Sequence, residues 1–215
     1  MNSFSIIRSI FFTAFVVATI AIADHSKKRT LSIICCIAVF AGLLVFDLNY
    51  PAENFFYGFK TAEQAFSYSK NGEIKHVIEG SESGMVTYKT KDANGTCILP
   101  KDGSRWKLDS LFYYKEVYNK YFSYEDQPCN IMIFHAKGTD DYYVEILCFY
   151  SSREITVSDN RGSVFLREEN SSPLSTAIFY SYVNSVDNTY KIYINDCTVQ
   201  VTLGDKDIKT VTPLK

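Results

Sequence analysis

Few residues in this chain stand at a spacing that does chemistry. Gly80-Ser81-Glu82-Ser83-Gly84 has the outline of a nucleophile elbow. That motif needs serine at its centre and a helix after it, whereas here Glu82 is central and a strand-like run follows, so the segment reads as a turn. His25, His76 and His135 are the only histidines. None has a second histidine or a cysteine pair at zinc-ligand spacing, and His76 and His135 read as half-exposed strand side chains. Asp140-Asp141 and Glu168-Glu169 are adjacent carboxylates in turn-like stretches, where solvated charge is expected, and neither supplies the alternating oxygens of a calcium loop. There is no glycine-rich phosphate loop. No catalytic, cofactor-binding or metal-binding residue is assigned, and no cofactor is expected.

The cysteines are the remaining reactive groups. Cys35-Cys36 lies inside an apolar run, and Ile34 stands where a lipoprotein signal needs a small residue, so the pair reads as two small apolar side chains. Cys97, Cys129, Cys148 and Cys197 follow in the polar part of the chain. An even set in an oxidising compartment permits two disulfides in three connectivities. The alternative is four buried thiols behaving as small hydrophobes. Sequence leaves both open.

The elements that would carry these residues divide sharply along the 215 residues. Residues 4–23 and 31–47 are almost wholly apolar, and a 20-residue helix spans about 30 Å, the thickness of a bilayer's hydrocarbon core. Lys27, Lys28 and Arg29 fall in the intervening loop 24–30, while residues 47–59 hold no Lys or Arg. Basic loops stay cytoplasmic. Ala21-Ile22-Ala23 has the form of a signal-peptidase site, but cleavage there would strand the basic cluster outside. The sequence therefore predicts a multi-pass transmembrane helical hairpin with the bilayer as partner, or residues 31–46 alone as the anchor. In either case a juxtamembrane linker covers 48–59 and a large domain, 60–215, lies outside the cytoplasm.

That domain reads as mainly β (α+β): a sheet, sandwich or partly open barrel with one short helix near its start and a sub-boundary near 108–110. Thr61 and Gln64 form a capping-box pattern that opens the helix, which runs to Ser69. Asn71-Gly72 marks a turn, and Asp102-Gly103 signals a hairpin. Residues 111–122 carry helical spacing at Leu111, Tyr114, Tyr118 and Tyr121, yet their aromatic density favours a strand. Further strands are expected at 131–136, 142–150, 154–157, 164–167 and 177–183. Tyr190, Ile192 and Ile194 alternate with Lys191, Tyr193 and Asn195, and Val199, Val201 and Leu203 answer them across an Asn195-Asp196 turn. The net charge of −2 argues against a nucleic-acid partner.

The stretches "FKTAEQAFSYS", "IKHVIEG", "MVTYK" and "LPKDGSRWKL", over roughly residues 59–108, resemble a group of small membrane-anchored proteins of Gram-positive bacteria. The resemblance implies an envelope setting and no particular activity. The functional expectation is thus an envelope binding or sensing domain for an unidentified ligand or protein. The alternatives are an envelope enzyme with a dispersed site and an accessory or immunity-type subunit that docks a partner through its helices.

Overall fold

The computed structural model describes residues 10, 13–22, 29–49, 51, 53–110, 113–124, 127–149, 154–170 and 176–203. Helix α1 covers 13–22 and α2 covers Arg29–Asn49. They meet at Phe15 and Phe40, whose rings stack 4.6 Å apart. Among the described residues no helix is long and apolar enough to cross a membrane. The mainly apolar run of α2, residues 31–46, spans only about 24 Å against a core of roughly 30 Å. The ten described residues 13–22 of α1 span about 15 Å. This overturns the expected transmembrane hairpin, and with it the multi-pass membrane location and the placement of the domain outside the cytoplasm. Lys27 and Lys28 lie outside the described residues, as do 4–9, 11–12 and 23 of the expected first span. Arg29 is the first residue of α2.

Strands dominate the rest. The chain divides into two compact units, Met1–Val77 with Val86–Tyr113, and Ile78–Met85 with Tyr114–Lys215. In the first unit, α3 (Glu53–Phe56) precedes α4 (Ala62–Ser69). The Thr61 side chain accepts from the Gln64 backbone N–H, and Gln64 Oε1 accepts from Lys60 N, so the expected cap forms with its return bond shifted by one residue. Ala65 and Phe66 of α4 are fully buried against Cys97 and Leu99. Burial of one such aromatic side chain is worth about 1.5–3 kcal/mol. The Asn54 amide clamps Leu108 from both sides, donating to its carbonyl at 2.9 Å and accepting from its N–H at 2.7 Å.

A four-stranded antiparallel sheet runs β1 (Glu73–Glu79), β2 (Ser83–Lys89), β3 (Asn94–Asp102) and β4 (Arg105–Trp106) in spatial order. The β3–β4 turn uses Gly103 at φ 59°, a left-handed conformation open to glycine without strain.

The second unit is built on a five-stranded sheet in the order β5-β6-β7-β10-β9. Its strands are β5 (Tyr114–Tyr124), β6 (Gln127–Ala136), β7 (Asp141–Phe149), β9 (Leu166–Asn170) and β10 (Thr176–Asn184). From Tyr114 onward the ambiguous aromatic stretch is therefore a strand, with a bulge between Glu116 and Tyr118, while its residues 111 and 112 lie outside the described residues. A three-stranded sheet, β12 (Cys197–Gln200), β11 (Lys191–Ile194) and β8 (Val157–Asp159), packs within the same core. Tyr190, Ile192 and Ile194 are buried as the alternation requires. Asn195-Asp196 makes the two-residue turn, with Asn195 at φ 51°.

Candidate functional site

Alternation sorts the two faces of the five-stranded sheet. Cys129, Ile131 and Ile133 of β6 face the core, with Val144, Ile146 and Cys148 opposite them on β7. The residues between them turn to the other face. There Asn130 neighbours Leu147, Met132 neighbours Glu145, and Glu145 in turn neighbours Tyr180 of β10. Beyond Tyr180 stand Leu166 and, beside Ile178, Glu168.

This second face is only partly covered. Met132, Leu147 and Ile178 are half-buried, Leu166 is 41 % exposed, and Tyr121, opposite Asn130 on β5, is 72 % exposed. Burial raises the Tyr180 hydroxyl pKa, and the Glu145 and Glu168 carboxylates raise it further. On this face Asn130 is 4 % exposed and its Oδ1 finds no donor among the described residues. An orphaned buried acceptor of this kind costs about 1–3 kcal/mol.

One end of the same face is closed by the turn between β1 and β2. Asp141 is 1 % exposed. Its Oδ1 accepts from Ser81 N at 3.1 Å, and its Oδ2 accepts from Glu82 N at 2.8 Å and from Ser83 Oγ at 2.7 Å. The Ser83 hydroxyl also meets the Tyr143 hydroxyl at 2.8 Å, and Ser81 meets Tyr182 at 2.8 Å. Glycine is required at position 80, because a Cβ there would stand 2.5 Å from Tyr143 Oη and 2.7 Å from Asp141 Oδ2. The segment that outlines a nucleophile elbow is thus a turn capped by a carboxylate. Ser83 has no histidine to take its proton.

A second carboxylate organises the loop after β8. Asp159 Oδ1 accepts from Arg161 N at 3.0 Å and Ser163 N at 2.9 Å, and Oδ2 accepts from Tyr190 Oη at 2.9 Å. Burial by itself would raise its pKa; the bonds from Ser163, Tyr190 and Arg161 outweigh burial and hold it below the ordinary carboxylate value. Nearby, hydrogen bonds from Thr189 and Arg161 bring the exposed Asp187 down to about 2.

The remaining sequence candidates fall apart in space. His135 stacks on Tyr142, and its Nε2 lies 2.9 Å from the Thr139 carbonyl oxygen; His76 sits on β1. Among the described residues no group of three or more His, Cys, Asp or Glu is placed to hold a metal ion. Of the acid pairs, Asp140 is exposed and Asp141 buried, while Glu168-Glu169 lies in strand β9 rather than a turn. Cys97, Cys129, Cys148 and Cys197 are buried free thiols. Cys97 belongs to the core of the first unit and the other three to that of the second.

Sequence reasoning missed Asn130 and Asp159, and it expected Asp141 to be solvated where the fold buries it. Asn130 was detectable as the one polar residue in "CNIMIF", and Asp159 as the head of an Asp-x-x-Gly turn. Asp141 carried no local signal, since its donors lie about 60 residues away.

Fold and face together define a mostly β protein of two compact units with an apolar, acidic sheet face. No protein-family model, curated protein or solved structure matches the chain. The Gram-positive resemblance therefore rests on its residues alone.

Proposed function

We propose that this protein is a binding or sensing module, and that the partly open face of its five-stranded sheet receives the ligand. The observation that supports this is a run of apolar side chains, the half-buried Met132, Leu147 and Ile178 with the exposed Leu166, flanked by Glu145 and Glu168. Partly exposed apolar patches with a few polar groups are where ligands and partners dock. The charge selects among them: a ligand with an apolar body and a protonated amine matches both halves of the face. The buried acids in this unit favour binding over catalysis. Asp141 and Asp159 already accept three bonds each from the protein, which leaves neither poised to take a proton from a substrate.

Thermal-shift measurements on the full chain with alkylamines of increasing length, each against the matched alcohol, test this. Stabilisation should grow with chain length and be larger for the amine. Glu145→Gln with Glu168→Gln should erase the amine's advantage, and Leu147→Asp should weaken both series. Equal shifts for amine and alcohol, or shifts untouched by these substitutions, would refute the assignment.

A further inference from the structure

We propose that Cys129 and Cys148 are a redox pair that closes a cross-strand disulfide, while Cys97 and Cys197 remain thiols. The two residues stand directly opposite each other in the β6–β7 register, one rung beyond the Asn130–Leu147 pair. Opposed residues on antiparallel strands have Cα atoms about 4.5 or 5.5 Å apart. Both spacings fall inside the ~4.4–6.8 Å window of disulfides. Both side chains point to the same face, into the core of the second unit, so closure needs no change of register.

The sulfurs already interact. A hydrogen bond between the two thiols, then burial, pushes the Cys148 proton to higher pKa; the same bond, received by Cys129, lowers that of Cys129. Neither of the other cysteines stands opposite Cys129 or Cys148 in the strand register. Burial pushes the Cys97 thiol up to about 12, and it lies in the other unit. Cys197 lies on β12, which pairs with β11 and not with β6 or β7. It shares the core with Cys129, and burial, then the Asp196 carboxylate and Cys129, raise its pKa.

Buried thiols react only when the structure opens, and the position of the pair favours opening. Cys148 is the penultimate residue of β7 (Asp141–Phe149) and Cys129 the third of β6 (Gln127–Ala136). Strand ends open at lower cost than strand centres. The co-reactant is a low-molecular-weight disulfide. The thiolate of one of the pair attacks one of its sulfurs, expelling a thiolate and forming a mixed disulfide. The second protein sulfur then attacks the first, its proton passing to the departing thiolate. Two protein thiols lose two electrons and two protons, and the small disulfide becomes two thiols.

Peptide mapping of the native full chain tests the pairing without any substitution. Cleavage after Lys120, Lys137 and Arg153 places Cys129 in 121–137 and Cys148 in 138–153, while Cys97 falls in 92–101 and Cys197 in 192–206. After oxidised glutathione and then N-ethylmaleimide in denaturant, 121–137 should be recovered joined to 138–153, lighter by two hydrogens and reversible by dithiothreitol. The peptides 92–101 and 192–206 should be fully alkylated. The oxidised protein should also melt several degrees higher, since the bridge closes a loop in the unfolded chain. Cys148→Ser should show neither change. A Cys129–Cys197 link, a persistent glutathione adduct on Cys129, or four alkylated cysteines after oxidation would each overturn the proposal.

Discussion

The Asp141 carboxylate is the acceptor for two backbone N–H groups and one hydroxyl of the turn it faces. Asp141→Ala leaves the buried Ser83 hydroxyl and the two part-buried N–H groups of Ser81 and Glu82 without their acceptor, at a cost of about 3 kcal/mol in urea unfolding. Asp140→Ala, one residue away and exposed, should stay within about 0.5 kcal/mol. Asn130 works in the opposite direction. Replacing it with leucine, which has the same branched shape, removes an orphaned buried acceptor, and the protein should gain about 1 kcal/mol. Loss of amine binding in that stabilised variant would mark a residue kept for function at the expense of stability. A destabilised Asn130→Leu would instead show that the amide has partners in solution. Residue chemistry was the least legible layer of the sequence. Asp140 and Asp141 look alike in a string of letters, and only contacts about 60 residues away separate them.

At the scale of elements, the loop from β8 to β9 hangs on Asp159 and on the Arg161–Asp187 pair, 2.7 Å apart. Both carboxylates titrate lower in the folded chain than their ordinary value of 3.8. A depressed carboxylate adds stability above its unfolded pKa and loses that stability as pH falls through the folded value. The melting temperature should therefore drop between about pH 4 and pH 2. Asp159→Asn should lower it at pH 7 and flatten that slope; an unchanged slope would place the acid sensitivity elsewhere. Elements were read more securely than residues where period and cap agree. The Thr61–Gln64 cap, the β11–β12 alternation and the Asn195-Asp196 turn are all local signals, and all appear in the fold. β8 falls at Val157–Asp159 rather than 154–157, and β9 at Leu166–Asn170 rather than 164–167, since sheet pairing sets strand ends and is not local. The helix hairpin shows the same limit: hydropathy marks where a helix is apolar, but whether it spans depends on how far the apolar run continues.

At the scale of the whole molecule, the chain passes between its two units three times, at Val77/Ile78, Met85/Val86 and Tyr113/Tyr114. Residues Ile78–Met85 thus belong to a unit whose remaining chain begins 29 positions after Met85, at Tyr114. A protease site placed at the last crossing divides the chain into 1–113 and 114–215. The first piece then carries the turn that completes the second, held by three bonds to Asp141 and by the Ser81–Tyr182 and Ser83–Tyr143 hydroxyl contacts. After cleavage under native conditions the pieces should co-elute in size-exclusion chromatography. Asp141→Ala should weaken their association by roughly 100-fold, because a loss of about 2.8 kcal/mol is two factors of ten. Asp140→Ala should leave it intact. Pieces that separate at once, or that dissociate equally with either substitution, would mean that the turn rests on its unit without being held there by Asp141.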